Sequence, residues 1–220
     1  LFVAFLLWRV TGENKKYIRG HMRHLVILAK APHLGAVKRR LGHDIGSLAA
    51  LQFYERNLRL TLRRLCRDRR WITSLAITGA PTRWSNITPR TVRMMEQGHG
   101  DLGDRMRRLM EAMPSGPVIM IGSDIPNISR DDIYEAFSEL GHNDIVLGPA
   151  HDGGFWLIGQ ARRRPLPDIF RNVRWSSQYT LHDTLANLDH RHTYSFVRKL
   201  LDVDDGKSYE IWRKTRKKCN

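Results

Sequence analysis

Short apolar runs alternate along this chain with longer segments in which apolar residues recur at helical spacing. The runs have the length and the branched side chains of buried strands. They are HLVILA (24–29), WITSLAITG (71–79), GPVIMIGSD (116–124), DIVLGPA (144–150) and FWLIGQ (155–160). Strands that alternate with helices pair mainly in parallel. The pattern therefore predicts an α/β fold, a three-layer α/β/α arrangement around a mainly parallel, mixed sheet.

Amphipathic segments between the runs are predicted to form the covering helices. They are residues 47–66, 102–113, 129–140 and 176–188. Ser47 and Ser129 stand at the starts of two of them, where a serine hydroxyl commonly caps free backbone N–H groups. Residues 192–205 are predicted to be extended and to precede a last helix.

The length of 220 residues favours one domain, predicted to span residues 22–220. Residues 1–21 are interpreted as an N-terminal extension outside the fold, because Met22 stands just before the first strand-like run. Their apolar stretch LFVAFLLW is too short to cross a membrane, so no transmembrane segment is predicted. A short membrane-associated helix is the competing interpretation.

Charge and cysteine content narrow the class of ligand and the location. The chain has 37 lysines and arginines against 22 acids, a formal net charge of +15, which favours anionic ligands such as nucleotides. Because the arginines are spread over nearly every segment, nucleic acid is not expected to be the main partner. Cys66 and Cys219 form neither a disulfide framework nor a zinc pattern, which favours a reducing cytoplasm.

The loop after the first strand-like run is a candidate phosphate site, because ligands of parallel sheets bind beyond the carboxyl ends of the strands. Its residues Lys30, Gly35, Lys38 and Arg39 combine a turn with positive charge. Neither GxxxxGK[ST] nor GxGxxG is present, and cations after a strand are also common on solvated surfaces.

Aspartates follow two other extended segments. Asp124 comes after the run IMIGS, where a carboxylate can bind Mg²⁺ or Mn²⁺ or can merely cap the turn. Ser129 already supplies a cap for the next helix, so metal binding is favoured. In LLDVDD, alternation places Asp202 and Asp204 on one side, where either can be a second metal ligand or part of a solvated turn.

The stretch GPAHDGGFWLIG interrupts two apolar runs with Asp-Gly-Gly at 152–154. This triplet is typical of a hairpin turn, and that interpretation stays open. Pro149 argues against an ordinary strand ladder. Phe155 and Trp156 provide an aromatic surface beside the Asp152 carboxylate, a combination typical of sugar or ribose recognition.

A glycine-rich segment, QGHGDLGDRM, opens the second predicted helix. Acids at this position suit the helix dipole. Its glycines would also let backbone amides approach a base or ribose closely. The candidate nucleotide contacts in this segment are Gly100, Asp101, Gly103 and Arg105.

Several of these motifs together resemble the DUF2064 proteins. The resemblance runs from about Arg23 to Asp205, in the order AKAPHLGAVKRRL, GDLGDRM, IGSDIP, GPAHDGGFWLIG, FRNVRWSS and DVDD. Members of this family are often labelled glycosyltransferases. They belong to the nucleotide-diphospho-sugar transferase superfamily, which has a GT-A-like fold. The chain departs from the family pattern at Arg39, where threonine is usual, and at Asp205-Gly206, where Thr-Pro is usual.

The resemblance implies a metal-dependent transferase that uses a nucleotide-diphospho-sugar donor and an unidentified acceptor. Asp124, assisted by Asp204, would hold Mg²⁺ or Mn²⁺ on the diphosphate, beside the cations around Lys38. Asp152 would bind sugar or acceptor hydroxyls or act as a base. The residues implied on the sugar and acceptor side are Asp152, Gly153, Gly154, Phe155 and Trp156.

Two other functions remain open from the sequence. One is a nucleotidyltransferase of the molybdopterin- or phospholactate-guanylyltransferase type, which shares the superfamily fold and releases pyrophosphate. The other is a non-catalytic protein that binds nucleotides or RNA, for which the charge predicts a steep salt dependence.

Overall fold

The computed structural model describes residues 22–79, 88–89 and 92–218, apart from the side chains of 216–218. The predicted extension, residues 1–21, lies outside the described residues. The strands within them are β1 (His24–Lys30), β2 (Ile72–Thr78), β3 (Arg93–Glu96), β4 (Val118–Gly122), β5 (Ile145–Pro149), β6 (Phe155–Gln160) and β7 (Tyr194–Phe196).

Helices cover this sheet. They are α1 (Arg39–Ile45), α2 (Ser47–Leu65), α3 (Leu102–Ala112), α4 (Arg130–Glu139), α5 (Thr180–Ala186) and α6 (Gly206–Lys218). None of these helices is long and apolar enough to cross a membrane.

The strands form one mixed sheet in the order β3-β2-β1-β4-β6-β5-β7. Strand β1 pairs in parallel with β2 and β4, β2 pairs in parallel with β3, and β5 with β7. Strand β6 runs antiparallel to both of its neighbours, and Leu157 of β6 lies opposite Ile121 of β4. The predicted α/β fold with a mainly parallel sheet is confirmed. The beginning of β6 lies beside the end of β4.

Both faces of the sheet are buried, which explains why β1 is continuously apolar. Leu25 and Ile27 pack in one core cluster with Leu58 of α2, whereas Val26 packs on the opposite face with Met106 of α3. A fully buried leucine of this kind contributes about 2 kcal/mol. The arrangement gives the three layers that the alternation of runs predicts.

Some local predictions differ from the structure. The cap of α2 is Gly46, with Ser47 as the first helical residue, so the prediction that Ser47 caps this helix is wrong. Ser129 does cap α4, in a reciprocal pair of hydrogen bonds with Asp132. Helix α5 begins only at Thr180, because the residues before it form turns. Neither β3 nor α1 was predicted, since both are short.

The Asp-Gly-Gly segment joins two antiparallel strands, which confirms the hairpin interpretation. Gly148 of β5 lies opposite Leu157 of β6. The register then shifts, so that Pro149 lies opposite Phe155 at the end of the ladder. A proline is tolerated at such an irregularity because no ladder N–H is needed there.

Candidate functional site

A cavity of about 440 Å³ opens at the edge of the sheet where β1 and β4 end and β6 begins. Its walls include the apolar side chains Leu28, Met120 and Ile158 from these three strands. The predicted site residues that line it are Lys30, Lys38, Arg105, Asp124, Phe155, Trp156 and Asp204. Its position agrees with the rule that ligands of open α/β sheets bind beyond the carboxyl ends of the parallel strands.

Two carboxylates from distant parts of the chain meet at this cavity. Nζ of Lys38 lies 3.3 Å from Oδ2 of Asp124 and 3.4 Å from Oδ1 of Asp204. The Lys38 side chain is 5% exposed, whereas those of Asp124 and Asp204 are 41% and 43% exposed. Nη1 of Arg40 lies 3.4 Å from Oδ2 of Asp204. The two carboxylates therefore share one buried cation and keep exposed surface beside the cavity.

Local backbone structure holds this group in place. Asp124 follows β4, and its carbonyl oxygen accepts a 3.2 Å hydrogen bond from the N–H of Val203. The Asp204 N–H donates to Oγ of Ser208 at 3.0 Å. Lys38, directly before α1, has a left-handed backbone with φ 48° and ψ 49°. This conformation costs a non-glycine residue roughly 1 kcal/mol and is a recurrent feature of functional sites.

The carboxylate pair fits a divalent cation that is bound together with a phosphate ligand. Carboxylate oxygens suit Mg²⁺ and Mn²⁺. Among residues 22–79, 88–89 and 92–218, no group of three or more His, Cys, Asp or Glu side chains is placed to hold a metal ion. Mg²⁺ is commonly held by one or two carboxylates plus substrate phosphates, so Asp124 and Asp204 meet that requirement.

Negative charge is concentrated further along the same edge. Asp202 is half-buried, and burial is the main cause that raises the pKa of its carboxyl group. The nearby carboxylates of Asp152 and Asp124 raise the pKa of Asp202 further. Asp152 of the hairpin and Asp124 after β4 therefore both lie close enough to Asp202 to act on its carboxyl group.

The loop between β5 and β6 is fixed against the segment before α5 and does not line the cavity. Oδ1 of Asp152 accepts a 2.9 Å hydrogen bond from the N–H of Gly154. Gly153 has φ +88°, and a Cβ there would lie 2.3 Å from the carbonyl oxygen of Gln178. The Leu181 N–H donates to the Gly153 carbonyl at 3.1 Å. Both glycines thus serve the turn, and Asp152 stays exposed.

The two aromatic residues after this loop differ in role. Trp156 is 2% exposed, and its Nε1 donates to the Arg198 carbonyl at 3.0 Å. Phe155 is half-buried and packs edge-on against Trp175, with ring centroids 6.4 Å apart. Ser176, with φ 56°, lines the cavity next to this pair and was not predicted. The motif FRNVRWSS was the only sequence signal near it.

The glycine-rich segment contributes one side chain to the cavity. Arg105 lines it, and its Nε donates to the Gly100 carbonyl at 3.0 Å. Asp101 caps α3 by accepting from the Asp104 N–H at 2.8 Å, as the helix-dipole interpretation requires. Gly103 packs against Phe170 and Trp175, where a Cβ would lie within 3 Å of both side chains. Gly100, Asp101 and Gly103 do not line the cavity.

Of the four residues predicted in the first loop, Lys30 and Lys38 line the cavity. The other two do not. Gly35 forms an exposed turn with φ +75°, and Arg39 is the exposed first residue of α1. Tyr54 was not predicted. Its hydroxyl accepts from the Lys30 N–H at 2.9 Å and donates to the Lys30 carbonyl at 2.8 Å.

Gln97 is a second cavity residue that sequence reasoning missed. Its Nε2 donates to the carbonyl oxygens of Ala76 at 2.9 Å and Ala29 at 3.2 Å. The side chain is buried and joins the ends of β1 and β2. Gln97 begins the segment QGHGDLGDRM, but the sequence does not single out its side chain, because its partners are backbone atoms of distant strands.

Several solved structures share the fold of this chain. A protein of Desulfovibrio desulfuricans G20, provisionally described as a nucleotide-diphospho-sugar transferase, has a TM-score of 0.83 and 26% identity over 89% of this chain and 87% of that chain. The 4-diphosphocytidyl-2C-methyl-D-erythritol synthase of Anaerococcus prevotii has a TM-score of 0.61 and 10% identity, over 89% of this chain and 96% of that chain. Rv0371c of Mycobacterium tuberculosis, solved with manganese, has a TM-score of 0.51 and 14% identity, over 86% and 97%.

The last two similarities show a shared fold alone. No curated protein sequence matches this chain. The model of the DUF2064 family, described as an uncharacterized protein conserved in bacteria, matches residues 61–177. This match spans more than half of the chain, which therefore belongs to the DUF2064 family.

Proposed function

We propose that this protein is a metal-dependent transferase that binds a nucleotide-diphospho-sugar and passes the sugar to an acceptor. The observation that carries the proposal is the convergence of Asp124 and Asp204 on Lys38 at the mouth of a cavity of nucleotide size. The similarity to the Desulfovibrio protein supports a transferase of this class.

The cations and carboxylates have separate roles in this proposal. Asp124 and Asp204 would hold Mg²⁺ or Mn²⁺, which supplies charge neutralisation for a leaving nucleoside diphosphate. Lys30, Lys38 and Arg105 line the cavity and would donate to diphosphate oxygens. The contacts predicted for Gly35, Arg39, Gly100, Asp101 and Gly103 remain predictions.

The hairpin between β5 and β6 is the proposed sugar and acceptor side. Asp152 is exposed and lies close to Asp202, and in this proposal its carboxylate would bind a hydroxyl group or accept its proton. Phe155 offers a half-buried ring to the cavity, and the buried Trp156 also lines it. Residues 22–220 are proposed to form a single domain.

A nucleotidyltransferase is the second candidate function. The fold shared with the Anaerococcus synthase favours it, since the same carboxylates and cations would suit a nucleoside triphosphate. The two candidates differ in the product released, which is a nucleoside diphosphate in the first case and pyrophosphate in the second.

An incubation series tests both functions. The purified protein, with Mn²⁺ or Mg²⁺, is given panels of nucleotide sugars and nucleoside triphosphates, and the release of nucleoside diphosphate and pyrophosphate is followed separately. We expect slow diphosphate release from one nucleotide sugar, lost in Asp124→Asn and kept in the control Asp131→Asn, which changes an exposed aspartate of α4. Pyrophosphate release from a triphosphate would instead assign the protein to the nucleotidyltransferases.

A further inference from the structure

A second cavity, of about 460 Å³, lies between α2, α6 and the loop after Asp124. It shares no lining residue with the cavity of the proposed transfer site. Phe53, Leu60 and Trp212 give it an apolar surface, with the rings of Phe53 and Trp212 edge-to-face at a centroid distance of 5.1 Å. Leu60 is 44% exposed and adjoins the Phe53 and Trp212 rings, so its free apolar surface belongs to the wall of this cavity.

Positive charge surrounds this apolar surface. The described lining residues include Arg56, Arg64 and Arg198 and contain no aspartate or glutamate. Arg198 is paired with Asp132, its Nη2 lying 2.8 Å from Oδ2. Arg64 donates to the carbonyl oxygens of Pro126 and Ile128, which leaves its charge without a carboxylate. Arg56 is exposed and has no ion pair among the residues that the structure describes.

The geometry of α2 arranges these groups in a row. Arg56, Leu60 and Arg64 are spaced four residues apart, so they follow one face of the helix. The row extends over about 12 Å, the length of a ten-carbon chain, at a rise of 1.5 Å per residue. An apolar centre with one guanidinium group at its end that is unpaired in the described part of the chain, that of Arg56, matches a ligand with an apolar body and one anionic head.

The cavity is also joined to the proposed metal-binding loop. Asn57 lines the cavity, and its Nδ2 donates to the Ser123 carbonyl at 2.8 Å, one residue before Asp124. Pro126 lines the cavity from the other end of that loop. An occupant of the cavity would therefore contact residues that position Asp124.

We propose that this cavity binds an amphiphilic phosphate monoester, with its apolar body against Phe53, Leu60 and Trp212 and its phosphate on Arg56. Arg64, two helical turns from Arg56, adds to the positive potential of the cavity. This ligand site is separate from the proposed transfer site, and it does not depend on which group that site transfers.

Calorimetric titration of the full chain with geranyl phosphate, below its micelle concentration, tests the proposal. We expect one saturable site, with geraniol and inorganic phosphate binding at least tenfold more weakly. Arg56→Gln and Leu60→Gln should each weaken geranyl phosphate binding roughly fivefold to tenfold. The control Arg63→Gln removes the same charge from an exposed position of α2 outside the cavity and should leave the affinity unchanged.

Several results would overturn the proposal. Equal binding of inorganic phosphate would indicate a site for free anions, and equal binding of geraniol would indicate a purely apolar cavity. An equal loss in Arg63→Gln would assign the binding to the general positive field. Displacement of geranyl phosphate by nucleoside diphosphates, or no binding at all, would also contradict it. Failure of the proposed transfer activity would leave this binding result unaffected, so the two failures are distinguishable.

Discussion

Lys38 carries an unusual combination of features for a lysine. Its backbone is left-handed, its side chain is almost fully buried, and its ammonium group lies between two carboxylates. An ammonium group so placed neutralises Asp124 and Asp204 in the same way as a bound cation. A divalent ion at these carboxylates would have to compete with Lys38 for them.

Removal of the lysine charge should therefore strengthen binding of Mn²⁺ to the protein without nucleotide. Asparagine tolerates a left-handed backbone, so Lys38→Asn should remove the charge without straining the chain. For this variant we expect the Mn²⁺ affinity to rise roughly tenfold, about 1.4 kcal/mol. Electron paramagnetic resonance, which detects free Mn²⁺, measures this change in affinity. Lys38→Gly should act in the same direction, which separates the loss of charge from ligation by the new amide.

Lys199→Asn serves as the matched control for this change. Lys199 is exposed and does not line the cavity, so its loss of charge should leave Mn²⁺ affinity nearly unchanged. Unaltered or weaker Mn²⁺ binding in both Lys38 variants would show that the lysine does not compete for the carboxylates.

At the scale of elements, the β5–β6 hairpin depends on its fit against the segment before α5. In Gly153→Ala, the new Cβ would combine a positive φ with a contact of 2.3 Å to the Gln178 carbonyl oxygen. We expect the free energy of unfolding to fall by about 3 kcal/mol, from backbone strain and overpacking together. Urea unfolding followed by circular dichroism measures this.

Gly35→Ala separates the two causes. Gly35 also has a positive φ, at +75°, but a Cβ there meets nothing within 4 Å. Gly35→Ala should therefore lower the free energy of unfolding only through backbone strain, by about 1 kcal/mol. An equal loss of stability in both alanine variants would show that the close approach of the hairpin to Gln178 does not stabilise the hairpin.

An ion pair between the exposed Arg164 and the buried Asp144 joins the loop after β6 to the residue before β5, and Asp144 also contacts the residue before β7. The Arg164 guanidinium bonds to Asp144, and the N–H of Thr193 donates to the same carboxylate at 2.9 Å. Arg164 is the main cause that lowers the pKa of Asp144 to about 2. Because the folded pKa lies below the unfolded one, near 4, the pair stabilises the protein above pH 4. This stabilisation is lost as the pH falls through 2.

Asp144→Asn should therefore destabilise the protein in a pH-dependent way. Because the Arg164 side chain is 46% exposed and partly screened, we expect a loss on the order of 1 kcal/mol at pH 6. The difference from the unaltered protein should shrink as the pH falls toward 2. Urea unfolding at several pH values measures it, and a difference constant from pH 6 to pH 2.5 would argue against the ion pair as its source.

The elements that could be predicted from sequence are those with a strong local pattern. Strand β4 and helix α4 follow from a buried run and from the cap at Ser129. Strand β3 was missed because only one of its four residues is even half-buried, so it has no apolar pattern. The Ser47 cap was wrong because Gly46 already ends the preceding helix with a φ of 91°.

The site residues likewise divide into those with a local sequence pattern and those without one. Asp124 and Lys38 could be located because they follow strands whose carboxyl ends meet at one edge. Tyr54 and Gln97 could not, because their partners are backbone atoms of distant strands. The direct contact of Lys38 with both carboxylates depends on side-chain placement that no spacing reveals.

At the scale of the whole molecule, the charge beside the cavity is opposite in sign to the net charge of the chain. The chain has a net charge of +15, yet aspartates gather beside the cavity at the edge of the sheet. The overall field attracts anions, whereas the local carboxylates repel a diphosphate, and the single charge of Lys38 does not offset both Asp124 and Asp204. Nucleotide binding should therefore depend on a divalent metal.

The most direct test of this account is calorimetric titration of the protein with a panel of nucleoside diphosphates, with and without Mn²⁺. We predict that Mn²⁺ strengthens binding of at least one of them tenfold or more. This gain should be lost in Asp124→Asn and kept in Asp131→Asn. An affinity that neither Mn²⁺ nor Asp124→Asn changes, for every nucleotide in the panel, would contradict the metal-dependent site.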